Sequence, residues 1–365
     1  MRVKLEDVCE RGSSNLKQSD VIDKTGEYPI FGASGYIGNV DFYHQEKSYV
    51  AVVKDGAGIG RTTLHSAKSS VIGTMQYLLP KDNVLPEYLY YVVNYMHLEK
   101  YFTGATIPHI YFKDYKNEEF NLDSLEKQKE IVDTLGKCES VIESRKRELQ
   151  LLDDLIKARF VELFGTLHDN ENGFDVVTME EVCSLIKDGT HQTPQYTEDK
   201  EKGYKFLSSK DVMSQKIDWT DIKYIPAELH EKLYATTKPQ RNDILMSKNG
   251  VNYGVAAVND TDEIFDIYVS LALLRPKEII DPVFFRCVIN NPETKRQFDS
   301  STKGIGVPNL HLGEIKKTKI FLPPMELQKE FVAFVEQVDK SKVAVQAALK
   351  KAQLLFDSLM QEYFG

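Results

Sequence analysis

Lys54-Asp-Gly-Ala-Gly-Ile-Gly-Arg61 is a glycine-rich turn with a cation at each end. Asp243-Ile-Leu-Met-Ser-Lys-Asn-Gly-Val-Asn-Tyr-Gly254 follows the same plan later in the chain: a strand-like run, a lysine, then a glycine turn. Glycines let a backbone approach a phosphate closely and offer it N–H groups. Lysine and arginine match phosphates and the guanine edge, and asparagine matches the adenine edge. Lys54, Gly58 and Arg61 in the first turn, and Lys248, Asn249 and Tyr253 in the second, are therefore candidates for contact with nucleic acid. Two polar loops add Thr106 and His109, and Lys303 and Asn309. His191, in Asp188-Gly-Thr-His-Gln-Thr-Pro-Gln-Tyr196, and Lys210, in the charged turn after Lys205-Phe-Leu, complete the set. Any one of these residues alone reads better as part of a solvated turn. As a group they favour a DNA-facing surface.

Catalytic chemistry finds no support. Phe31-Gly-Ala-Ser-Gly35 resembles the glycine loop of an adenosylmethionine site, but its glycines are misplaced and nothing like Asn-Pro-Pro-Tyr follows. A phosphate-binding P-loop needs Gly-Lys-Ser/Thr opening a helix; after Arg61 the sequence continues as strand. The histidines show no metal-ligand spacing, and no carboxylate pair stands apart from ordinary charged surface. Neither a cofactor nor a metal is expected.

The elements that carry these loops are duplicated. Leu122 to Gly165 and Leu322 to Gly365 each read as one long helix and superpose without a gap, Glu126 on Glu326 and Phe164 on Phe364. Apolar residues at spacings of 3 and 4 place Leu135, Ile142, Leu149 and Ile156 on one seam, and Val335, Val345, Leu349 and Phe356 on the other. A seam sustained over several heptads predicts a coiled coil. Each helix would be about 60 Å long at 1.5 Å per residue, too long to stand without a partner. Val3-Lys-Leu-Glu-Asp-Val-Cys9 and Val177-Thr-Met-Glu-Glu-Val-Cys183 open the two halves. The chain therefore reads as a tandem repeat of globular segment and helix, with boundaries at 1–121, 122–165, 166–321 and 322–365.

The remaining bounds are general. A 365-residue chain has room for two or three domains. No apolar run approaches a membrane span and the N-terminus lacks a signal peptide, so no membrane association is expected. Four scattered cysteines without a CxxC pair suit a reducing cytosol. The net charge of −9 argues against a generally basic DNA binder, so any such surface must be local.

Glu126-Lys-Gln-Lys-Glu130 and Glu326-Leu-Gln-Lys-Glu330 at the helix starts, Phe-Gly at their ends, the Asp188–Tyr196 loop and the two strand–lysine–glycine loops recur in one order. In that order the whole chain resembles the specificity subunit of a Type I restriction–modification system. The resemblance implies an α+β architecture: two similar globular α/β target-recognition domains separated by two long antiparallel coiled-coil helices, in pseudo-twofold repeat. It implies a non-catalytic subunit of the bacterial or archaeal cytoplasm that reads a bipartite, asymmetric site on double-stranded DNA. Adenine-methyltransferase and restriction/translocase subunits would dock on it. Two alternatives stay open: a coiled-coil scaffold with two non-DNA binding modules, and the recognition subunit of a related Type IIB-like system.

Overall fold

The computed structural model describes every residue except 22, 105–107 and 302–308; Thr106 and Lys303 lie outside the described residues. The chain divides into two compact units, one of Met1–Glu148 with Val345–Gly365 and one of Leu149–Ala344.

In the first unit the β-branched run Tyr49–Val53 is buried throughout, as expected of a strand covered on both faces. It lies between Met75–Pro80 and Thr62–His65 in a four-stranded antiparallel sheet, with Cys9–Ser13 beyond Met75–Pro80. Alternation divides its side chains between two cores. Val50 and Val52 join Leu78 and the helix Pro86–Tyr95, whereas Tyr49, Ala51 and Val53 face Val71, Met75 and Tyr77. A three-stranded sheet (Gly35–Val40, Tyr28–Gly32, Ser70–Val71) and the pair Arg2–Lys4 with Glu119–Asn121 complete the unit's sheets.

The second unit builds the same topology from an almost unrelated sequence. Ile244–Ser247 takes the central place between Leu271–Pro276 and Ala256–Val258, with Cys183–Asp188 beyond. Lys223–Ile225, Tyr204–Leu207 and Phe265–Ile267 form its three-stranded sheet, and Asp175–Thr178 pairs with Lys319–Leu322. Cys9 and Cys183 hold matching core positions, where burial pushes each thiol up to about 12. Thiols held protonated this far above neutrality are packing groups.

The long helices span Leu125–Phe164 and Met325–Phe364, 40 residues each. Both begin three residues later than the sequence predicts. Ser124 caps the first, its Oγ accepting from the Lys127 amide at 3.3 Å, and Pro324 precedes the second. The two run antiparallel. In the first unit Ile131 and Leu135 share a core with Phe356, Leu359 and Met360; in the second, Phe160 and Phe164 share one with Phe331, Val332 and Val335. Leu135, Ile142, Val335 and Val345 are buried; Leu149, Ile156, Leu349 and Phe356 are half-buried. The shorter helices Pro86–Tyr95 and Pro282–Ile289 both stop abruptly. Left-handed His97 (φ 51°) precedes a 3₁₀ turn at Leu98–Tyr101. Pro292, which lacks the donor to continue a helix, starts a separate helix, Pro292–Ser301.

Each helix start is fastened by one fully buried glutamine. Gln128 Oε1 accepts from the Leu85 amide (2.9 Å), and its Nε2 donates to the carbonyls of Asn83 (3.0 Å) and Asp123 (2.9 Å). Gln328 repeats the arrangement with the Asp281 amide (2.8 Å) and the carbonyls of Ile279 (3.2 Å) and Pro323 (2.8 Å).

Candidate nucleic-acid interface

The strand–lysine–glycine loops are built alike in both units. The Lys54 amide donates to Thr74 and its carbonyl accepts from Ile110; Lys248 does the same with Ser270 and Leu310. Gly60 closes the first turn onto the Val53 carbonyl at 2.9 Å, and Gly254 closes the second onto Ser247 at 2.7 Å. Both are left-handed, at φ 81° and 87°, a conformation glycine adopts without cost. Asp55 then bridges to His109, and Asn249 to Asn309. In each unit the fold thus brings the glycine turn beside the described end of the loop that precedes the long helix.

Their side chains differ in availability. Arg61 is exposed, donates Nη1 to the Ala33 carbonyl (3.0 Å), and joins no ion pair among the described residues. It lies over Gly58, where a Cβ would come within 3.2 Å of the guanidinium. His109 is partly exposed and donates Nδ1 to Asp55 Oδ1 at 2.6 Å. Lys54 pairs with the other Asp55 oxygen. Burial would raise the Asp55 carboxyl, but hydrogen bonds from Lys54 and His109 outweigh it and hold it below the ordinary range. In the second unit Asn309 and His191 are exposed, and Val251 at the turn's tip is 87% exposed. The Asn249 Oδ1 is enclosed and has no hydrogen-bond partner among the described residues.

Two candidates face inward. Lys248 is 4% exposed and ion-paired with Asp188 at 2.9 Å. Tyr253 lies in the core and donates its hydroxyl to Asp299. An ammonium held this way is not free for a phosphate. Lys210 is tied to Asp221, through both its carbonyl (2.6 Å) and carboxylate (2.8 Å). Lys248→Ala is therefore expected to act on stability, lowering it by about 1–3 kcal/mol by taking the lysine from part-buried Asp188, with the salt slope of DNA binding unchanged. Urea denaturation and a salt titration of binding check the two halves of this statement.

Sequence reasoning missed the two carboxylates that hold the lysines. Asp55 adjoins its lysine and was legible as a neighbour; Asp188 lies far from Lys248 in the chain, and nothing in the spacing pairs them. Among the described residues no group of three histidine, cysteine or acidic side chains converges on a metal site. No helix there is long and apolar enough to cross a membrane.

Known proteins share this architecture. The chain is 24% identical over 329 residues to the Type I restriction enzyme MjaVIII specificity subunit of Methanocaldococcus jannaschii, covering 83% of this chain and 76% of that one. It is 22% identical over 291 residues to the EcoBI specificity subunit of Escherichia coli, covering 72% of this chain and 61% of that one. The crystal structure of a Type I restriction–modification S subunit from M. genitalium superposes with a TM-score of 0.61 at 16% identity, over 100% of this chain and 96% of that one. A structure from work on complex assembly and conformational transition of the type I R-M system gives 0.53 at 17%, over 100% and 97%. Residues 1–153 and 171–354 match the Type I restriction modification DNA specificity domain. With the repeated topology and both loop surfaces inside those matches, the chain belongs to the Type I restriction–modification DNA specificity family.

Proposed function

We infer that this chain is the sequence-recognition subunit of a Type I restriction–modification complex in the cytoplasm. It contributes no catalysis; it binds double-stranded DNA and assembles with adenine-methyltransferase and restriction subunits that carry the chemistry. Residues 1–121 and 166–321 are the reading modules, and the helices within 122–165 and 322–365 join them. The supporting observation is that one loop surface is built twice, on modules of identical topology whose exposed residues differ: Arg61 and His109 in one, Asn309, His191 and Val251 in the other. Duplicated scaffolds with unlike tips suit a bipartite site with two unlike halves, because base edges are read by side chains while the backbone fixes register.

Mapping methylated adenines in a host expressing the complex tests this reading. A split motif with two different halves is expected; a single contiguous motif would sink it. Within the complex, Arg61→Ala is expected to weaken binding and lower the salt slope by about one unit if Arg61 meets a phosphate, or to relax one base position by about 1–3 kcal/mol if it meets guanine. Unchanged affinity and slope would show that the first glycine turn faces away from DNA.

A further inference from the structure

The lysines at the two turns are backbone equivalents, yet different parts of the chain neutralise them. Lys54 is bound by Asp55, next to it in sequence; Lys248 is bound by Asp188, on another strand. In both units the same carboxylate also meets a histidine. Asp55 accepts from His109 Nδ1 at 2.6 Å, and Asp188 Oδ2 lies 3.4 Å from His191 Nε2. A lysine–aspartate–histidine series thus occurs in each unit, assembled from non-equivalent positions. The lysine end is the more buried in both, with side-chain exposures of 29% for Lys54 and 5% for Lys248, against 36% for His109 and 74% for His191.

The geometry is tightest in the first unit. The backbone around His109 is held by reciprocal bonds with Thr103 (2.9 Å each), by Ile110 to Lys54 (3.0 Å) and by Gly56 to Pro108 (3.0 Å). The charged and titratable groups facing His109 are Asp55 and Lys54 from the turn, and Tyr111 from its own segment with Lys113 over the Tyr111 ring. An ionised carboxylate only accepts hydrogen bonds, so Nδ1 carries the proton and the neutral ring presents Nε2 as an acceptor. Phosphate oxygens and guanine O6 and N7 are also acceptors. A neutral His109 would oppose them lone pair to lone pair; a protonated one would donate, with Asp55 stabilising the added charge.

We propose that His109 contacts an acceptor on DNA through Nε2 as an imidazolium, that Asp55 positions it, and that this contact takes up one proton. The proposal rests on the DNA-reading assignment above. The sign is fixed by linkage: the bound state holds the extra proton, so affinity falls as pH rises, by at most about tenfold per pH unit.

The test is DNA binding by the assembled complex between pH 6 and 8, using the duplex identified by methylation mapping and a random duplex. Wild type is expected to lose affinity with rising pH more steeply than His109→Gln, and Asp55→Asn is expected to flatten the profile towards that variant. Loss in His109→Gln on both duplexes assigns the acceptor to phosphate; loss on the mapped duplex alone assigns it to guanine. Lys54→Met separates relay from contact: it leaves the carboxylate and imidazole in place, so the pH-dependent component is expected to persist. Identical pH profiles for wild type and His109→Gln, with DNA still bound, would overturn the proposal and leave the DNA-reading assignment standing. A correctly assembled wild-type complex that binds no DNA would overturn that assignment too.

Discussion

Gln128→Leu is expected to destabilise the first unit by roughly 3 kcal/mol, and Gln328→Leu the second by a similar amount. Leucine fills much of the same volume but cannot replace three hydrogen bonds. In the first unit it strands the Leu85 amide and the carbonyls of Asn83 and Asp123; in the second it strands the Asp281 amide and the carbonyls of Ile279 and Pro323. Each buried polar group without a partner costs about 1–3 kcal/mol, and water reaching exposed Asn83 reduces the first total. Trp219, the only tryptophan in the chain, packs edge-on against Phe265 in the second unit. Its fluorescence in a urea titration reports Gln328→Leu. Hydrogen exchange at the Leu85 amide reports Gln128→Leu. A shift below about 1 kcal/mol in both would show that the glutamines are passengers.

The second large effect is expected at the closing glycines of the two turns. Gly60→Ala forces a side chain into the left-handed region, which costs about 1–2 kcal/mol, and its Cβ would stand 2.6 Å from the Glu99 backbone nitrogen. Gly254→Ala would bring Cβ to 2.9 Å from the buried Phe298 ring. Steric crowding adds about 1–3 kcal/mol, so each substitution is expected to cost roughly 2–5 kcal/mol in all. Gly60→Ala should also displace Arg61, lowering DNA affinity by tenfold or more, since about 1.4 kcal/mol corresponds to tenfold. Gly56→Ala is the control, because Gly56 has φ 93° but nothing within 4 Å of its Cβ position. It should carry the backbone strain alone. Equal losses for Gly56→Ala and Gly60→Ala would show that the close approach to Glu99 is immaterial.

The parts of this molecule that were legible beforehand are those governed by period and local chemistry. Heptads exposed the long helices, and duplication exposed the repeat. The strand Tyr49–Val53 is legible too, because β-branched residues without alternation fit a strand buried on both faces. The two glycine turns matched in kind although their letters differ. What stayed hidden depends on pairing at a distance. Gln128 and Gln328 were visible as matching letters, but their role lies in loops more than forty positions away. Lys248 and Tyr253 read as surface because lysine and tyrosine in a glycine turn ordinarily are; Asp188 pairs with the first out of solvent, and the second packs into the core that holds Phe298. Charge partners chosen by the fold leave no spacing signal.

The division of the chain also sets an order of events during synthesis. The second unit is one uninterrupted segment, Leu149–Ala344, whereas the first is incomplete without Val345–Gly365. Until those residues emerge, Ile131, Leu135 and the Tyr91 ring lack the cover of Phe356 and Met360. At ordinary translation rates, making the intervening segment takes roughly 10–40 s. The half made first is therefore finished last, against the usual vectorial sequence, and its apolar helix face waits on the ribosome as a natural client for a chaperone.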